Sequence, residues 1–433
     1  MQVLYVLIVF LLCSVMAIKA LMSINRLRYS LLHGCVLIFY LMQVLPLFVH
    51  LFNDIKVFKF YYPYLYYAMA DDSVTYAYGL FCLLAMMIMN YQGDKNIPYR
   101  QEINIRNIVT SFGKLKLLFG FLMFVPIIGV LIAPTPQIYF RFSYFYTNTY
   151  NEFDPEYLYH SMILLYLLYI SFLSLILFYL VKGKSTVSSL YVYSILIIDT
   201  WINGKRTLTI FLLLTILMID FIKVQNQKAQ KHFFRKAFVF ATIVLVYFVI
   251  YGQITQKGTD ISTYEKYRAY FTREGETKLA IYSRLIGTKM VEYDGQSLLY
   301  NLTFYVPRIF WENKPYGFFN NLTSYAFYGN GDDFVVGSNF QVNVWSEFIA
   351  NFGVIWGTIL ALALICFIAK SSESSQSVMV NLFGSVFVIL YLMYGFEHIV
   401  MITFFCWIVC FIKDLWKRRK QRKYRKNVCP ISA

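Results

Sequence analysis

The chain has 433 residues, of which 59% are hydrophobic and only 14% charged. Soluble domains carry about 25% charged residues, so a soluble enzyme is excluded. The net charge of +16 does not point to nucleic acid. The basic residues concentrate in short connectors and in the tail KRRKQRKYRK (417–426), where anionic lipid headgroups attract them.

Apolar runs of about 20 residues, the length that crosses a bilayer as a helix, recur along the chain. A spanning backbone must satisfy its own hydrogen bonds, and the short alternating segments of a membrane barrel are not the pattern here. The expected fold class is an all-α integral membrane protein with about eleven transmembrane helices. Spans are predicted at 2–22, 34–52, 74–91, 117–133, 159–181, 187–202, 208–222, 237–254, 348–369, 378–396 and 399–412. The first is read as retained, since it lacks a basic n-region and a small-residue cleavage site. The expected organisation is helices one to eight over 1–255, a large loop over 256–346, helices nine to eleven over 347–415, and a basic tail over 416–433.

The basic connectors are 23–33, 92–116, 182–186, 223–236, 370–377 and the tail. Every second connector along the chain is one of these. By the positive-inside rule the tail is cytoplasmic and the N-terminus extracytoplasmic. The connectors 53–73, 134–157, 203–207, 256–346 and the turn at Glu397 then lie outside. The turn NGKRT (203–207) breaks the rule with Lys205 and Arg206. Such charges can snorkel from a tight turn, or they mark a functional site.

The cysteines fall in spans or in the tail, so neither a disulfide framework nor a zinc site is expected. No internal repeat is evident, and Asp199 and Asp220 sit near the ends of their spans. Both features weigh against a secondary transporter.

The 256–346 interruption carries nine basic and nine acidic residues. Loops beyond about 15 residues are usually functional or disordered, and the aromatic content argues against disorder. Residues 262–293 read as one or two amphipathic helices, either lying along the membrane interface or packed as a cap over the bundle. The core PRIFWENKP (307–315) is bracketed by Pro307 and Pro315 and reads as an irregular, rigid loop. Arg308 offers a planar fork for phosphate oxygens and Lys314 a point charge. Trp311 and Tyr316 can stack on sugar faces. In WSEFIANFG (345–353), Glu347 and Asn351 are four apart and share a helix face. Gly353 and Gly357 allow a close helix neighbour.

A "GxR" turn (Gly204, Lys205, Arg206), an outer loop with "PR-x-x-W-x-x-KP" and an "E-x-x-x-NFG" helix start together resemble the Wzy-type oligosaccharide repeat-unit polymerases. That family makes O-antigen, capsule and related bacterial surface glycans. The resemblance implies a membrane-embedded glycosyltransferase of GT-C-like fold in the bacterial cytoplasmic (inner) membrane. Its donor and acceptor would be oligosaccharides on undecaprenyl pyrophosphate. Membrane lipids and a chain-length regulator protein are its implied partners, and no cofactor or metal is implied.

On that resemblance, Arg206 and Arg308 would stabilise charge developing on the leaving pyrophosphate, with Lys205, Lys314 and Arg284 as further ligands. A carboxylate or imidazole would take the proton of the attacking sugar hydroxyl. Glu347 comes first, followed by Glu312, Glu397 and His398, and Trp311, Tyr316 and Asn351 would bind sugar. Each has a plainer role available. Arg308 can pair with a loop carboxylate, Glu347 can complement a helix dipole, and His398 can be an interfacial polar residue. The pairs Asp71/Asp72 and Asp332/Asp333 are not D-x-D patterns. The rival readings are an O-antigen ligase-like transferase, for which the loop lacks a histidine, and a lipid-linked oligosaccharide flippase.

Overall fold

In a computed structural model of the chain, the described residues are 2–52, 62–97, 113–133, 136–140, 155–181, 186–203, 206–222, 227–255, 268, 272–286, 288–303, 305–306, 308–331, 340–395 and 398–428. They are helical almost throughout and contain no strand. Among the described residues, five helices are long and apolar enough to cross a membrane: Gln2–Asn25, Leu31–His50, Asp72–Asn96, Gly113–Leu131 and Val354–Glu373. Shorter apolar helices cover Tyr166–Val181, Val187–Ile202, Leu212–Phe221 and Val378–Tyr394. These are the properties of a multi-pass helical membrane protein.

Contacts divide the chain into two compact units, Met1–Gln101 with Asp260–Ala433, and Glu102–Thr259. The first unit begins with α1 (Gln2–Asn25) and α2 (Leu31–Phe39), which passes through a π-helical turn (Tyr40–Val44) into α3 (Leu45–His50). The turn has a cause in the sequence. Pro46 has no N–H, so the carbonyl four residues back, Met42 O, loses its helical donor. The widened turn is the local answer, as at other π-bulges. Met42 O instead accepts from Arg273 N at 2.9 Å, and Gln43 O accepts from Tyr78 Oη at 2.8 Å. A break in one apolar helix is thereby filled from two other parts of the unit.

Next come α4 (Pro63–Ala70) and α5 (Asp72–Asn96), the latter capped by Asp71, which accepts from Val74 N at 2.9 Å. The N-terminus of α2 is closed by Ser30 and by a carboxylate from far along the chain. Glu373 accepts from Leu31 N at 2.6 Å and from Ser30 Oγ at 2.7 Å, placing negative charge at a helix N-terminus.

In the second unit lie α6 (Lys116–Leu122), α7 (Val125–Leu131), α8 (Pro155–Val181), α9 (Thr186–Asn203), α10 (Arg206–Ile222) and α11 (Gln227–Thr255). Lys236 of α11 joins three helices. It pairs with Asp220 of α10 and donates to Tyr179 Oη of α8 at 2.6 Å, and that hydroxyl donates to Asp220 at 2.9 Å.

The remainder of the first unit holds α12 (Glu274–Leu285), α13 (Gln296–Thr303), α14 (Phe318–Tyr328), α15 (Val344–Phe352), α16 (Val354–Glu373), α17 (Val378–Tyr394) and α18 (His398–Val428). Two expectations are corrected here. The span predicted at 348–369 is two helices, because Gly353 takes φ 80° and ψ 170°, a region open essentially to glycine alone. The last helix does not stop at 412 but runs on through the basic residues to Val428. Of the two arrangements open for 262–293, the described part is packed: residues 274–281 of α12 are all buried.

Candidate functional site

Most of the polar chemistry of the first unit gathers around α15 and α12. α15 starts on Asn343, whose side chain accepts from Ser346 N at 2.9 Å while Ser346 Oγ takes the cap's own N–H at 3.3 Å. That reciprocal cap sets the register that turns Glu347 and Asn351 inward. Both are buried, at 1% and 0% exposure. Glu347 Oε1 accepts from Ser297 Oγ at 2.7 Å and from Asn301 Nδ2 at 2.6 Å. Asn351 Nδ2 donates to Ser297 Oγ and to Glu347 O, each at 2.7 Å, and its Oδ1 accepts from Gly295 N at 3.0 Å. Ser297 is thus the centre of a chain from Asn351 through its hydroxyl to the Glu347 carboxylate. Two donors on one oxygen hold that carboxyl group in a fixed orientation.

Arg284 closes the other end of α15. It donates from Nε to Ala350 O at 2.9 Å, and from a terminal nitrogen to Asn351 O at 2.6 Å and Asp294 Oδ1 at 2.8 Å. The hydrogen bond from Arg284 holds the Asp294 carboxyl below the usual range. A guanidinium on the last carbonyls of a helix is a C-terminal cap. Gly357 lets α16 approach α15, since a Cβ there would collide with Phe348 O.

The loop core is less gathered. Lys314 is buried and donates to Val306 O at 2.9 Å, with its ammonium 5.0 Å from the Tyr300 ring centre. Trp311 is half-buried, and Glu312 and Tyr316 are exposed. Arg308 begins a 3-10 turn (Arg308–Phe310), but its side chain lies outside the described residues. The same holds for the side chains of Arg206, at the start of α10, and His398, at the start of α18. Lys205, Glu397, Asp332 and Asp333 lie wholly outside them. Of the residues singled out from sequence, the structure brings Glu347, Asn351 and Arg284 together around α15.

A second polar centre escaped the sequence reading. Arg268, Arg273, Glu274, Glu276 and Lys278 are all buried, three cations against two carboxylates. Glu274 Oε1 lies 3.0 Å from Lys278 Nζ. Lys278 also reaches Thr75 Oγ1 at 3.4 Å and sits 5.4 Å from the Tyr78 ring centre. Arg273 donates to Met393 O at 2.8 Å and to Gln341. Burial pushes the Glu274 carboxyl up, but Lys278, Arg268 and His50 outweigh it and hold it below the usual glutamate range. Glu276 goes the other way: burial raises it, and Arg273 only partly opposes. The signal was present as TREGETK (272–278), whose glutamate and lysine stand four apart on one helix face. Among the described residues no cluster of His, Cys, Asp and Glu is arranged to hold a metal.

Comparison with known protein families, with characterised proteins and with solved structures gives no match.

Proposed function

We propose that the protein polymerises undecaprenyl-pyrophosphate-linked oligosaccharide repeat units into a surface polysaccharide, O-antigen or capsule, at the outer face of the bacterial cytoplasmic membrane. The reading includes the GT-C-like arrangement of about eleven spans with the N-terminus outside and the basic tail in the cytoplasm. The observation that carries it is the E-x-x-x-NFG helix start. Glu347 and Asn351 are both buried on one face of α15 and wired to Ser297 and Asn301.

In the proposed reaction the acceptor sugar hydroxyl attacks the anomeric carbon of the donor glycan. The C–O bond to pyrophosphate breaks, and the proton of the hydroxyl passes to Glu347. Undecaprenyl pyrophosphate leaves with the bonding electron pair. Cations fixed near the leaving oxygens stabilise that charge as it forms. Arg308 and Arg206 are the proposed cations, each on a connector that the Lys/Arg distribution puts outside. Arg284 and Lys314, engaged with main-chain carbonyls, position the loop rather than meet phosphate. Trp311 and the exposed Tyr316 are the sugar-stacking surfaces.

The test is complementation of a strain deleted for the gene. Arg206→Ala, Arg308→Ala and Glu347→Gln are each expected to insert and accumulate like wild type. Each should leave surface glycan as single repeat units. Full-length polymer from all three would remove both the clamp and the base from the account.

A further inference from the structure

The helix of the second unit that would cross 113–131 is broken, and its repair reveals the state of a buried acid. Pro126 cannot donate, and the chain turns between α6 and α7. Phe124 N bonds to Phe121 O at 2.9 Å and Ile127 N to Phe124 O at 3.1 Å. Gly120 O and Met123 O therefore lose the donors that a continuous helix would give them. In an apolar setting such freed carbonyls must be satisfied by neighbouring side chains. Tyr191 Oη of α9 donates to Gly120 O at 2.6 Å, and Ser171 Oγ of α8 donates to Met123 O at 3.0 Å.

Ser171 Oγ also lies 2.5 Å from Asp199 Oδ2. A hydroxyl carries one proton, and an ionised carboxylate only accepts. With Asp199 ionised, two acceptors would compete for that single proton, and Met123 O would be left bare. A proton on Asp199 resolves the conflict. Asp199 Oδ2–H donates to Ser171 Oγ, whose own proton goes to Met123 O. Both side chains are 0% exposed. The second oxygen, Asp199 Oδ1, has no hydrogen-bond partner among the described residues, a costly arrangement for a buried anion.

No basic side chain pairs with Asp199 among the described residues. On its own helix Asp199 acts on the Tyr191 hydroxyl. From α8 it meets the Ser171 hydroxyl, and through Ser171 the Met123 carbonyl between α6 and α7.

We propose that Asp199 is a proton-binding site of the second unit, held as a neutral carboxylic acid whose proton closes the relay Asp199–Ser171–Met123 O across the α6–α7 break. The relay makes the packing of α9 on α8 and on the broken helix sensitive to pH. Loss of the proton turns Ser171 toward the new carboxylate and away from Met123 O. This inference stands independently of the glycan reading.

Infrared spectroscopy of the full-length protein in lipid nanodiscs at neutral pH tests it. That pH is well above the value of about 3.9 at which an aqueous aspartate ionises. Wild type is expected to show a protonated-carboxyl C=O band that Asp199→Asn removes and Asp220→Asn keeps. Ser171→Ala, which takes away the acceptor of the acid proton, is expected to shift the same band. Thermal stability of wild type should fall as pH rises and the proton leaves. Asp199→Asn, whose amide donates to Ser171 in the same place, should lose its own share of that pH dependence and show a shallower fall than wild type. A band that Asp199→Asn leaves undiminished, or that Ser171→Ala leaves unmoved, overturns the proposal. So does a wild-type spectrum with no such band.

Discussion

Glu274 and Lys278 are four residues apart, almost wholly buried and 3.0 Å from each other. Removing one partner of such a pair strands a buried charge, which costs about 3–5 kcal/mol. Lys278→Met is expected to destabilise the first unit by that order in a denaturation series. The pH signs of the two glutamates differ. Glu274 has a depressed folded value, so its contribution is present above the ordinary 4.5 and lost as pH falls through the folded value. Glu276 has a raised one, so its contribution is present below 4.5 and lost as pH rises through that value. As pH rises from 4.5 through the folded value of Glu276, melting temperature is therefore expected to decline, and Glu276→Gln to flatten that decline. An unchanged slope in Glu276→Gln would show that another group sets it.

At this scale the sequence was legible where partners are close along the chain. Glu347 and Asn351 share a helix face by spacing alone. Ser297 and Asn301 were hidden because they are neutral and stand 50 and 46 positions from Glu347. Arg284 drew notice for its charge, but only the fold shows that its fork is spent on the end of α15.

Among the elements, apolar runs located the helices well and their breaks poorly. The predicted span 348–369 stays apolar apart from Asn351, the glycines and Thr358, so hydropathy alone does not mark where α15 gives way to α16. The break lies in a backbone conformation. Gly353→Ala meets no atom within 4 Å of the added Cβ, so its effect isolates that conformation. It is expected to cost about 1–3 kcal/mol, read as a lowered unfolding free energy. A neutral result would mean that φ 80° is not required there.

Pro46 and Pro126 were visible as letters in apolar runs, and their consequences lay in residues far away. Pro46 frees Met42 O for Arg273 N, tying the buried part of the 256–346 segment to the π-helical turn after α2. Pro46→Ala supplies an N–H that competes for Met42 O. Hydrogen exchange at residues 272–281 is expected to speed up in that variant, and unaltered protection would sever the proposed tie.

At the level of the molecule, composition alone led to an all-helical protein with helices fit to cross a membrane. The arrangement of the 256–346 segment was less accessible. Its nine basic and nine acidic residues suggested a polar loop, yet the described part of 268–281 is buried. It joins the same unit as the first and last helices. Charge averaged over a long segment conceals that, among the described residues, Glu274 pairs with Lys278, and Arg273, Arg284 and Lys314 bond to main-chain carbonyls. The orientation of the chain and the identity of its substrate rest on Lys/Arg distribution and on short motifs.

In the proposed function this chain joins lipid-linked repeat units, with Glu347 taking the acceptor proton. The most direct measurement uses purified protein in nanodiscs with an undecaprenyl-pyrophosphate-linked repeat unit drawn from the organism that carries the gene. Wild type is predicted to yield a ladder of lengthened glycans with release of undecaprenyl pyrophosphate. Glu347→Gln, folded and equally abundant, is predicted to leave the repeat unit unextended. A wild-type preparation that extends nothing, or a Glu347→Gln ladder equal to that of wild type, would contradict the account.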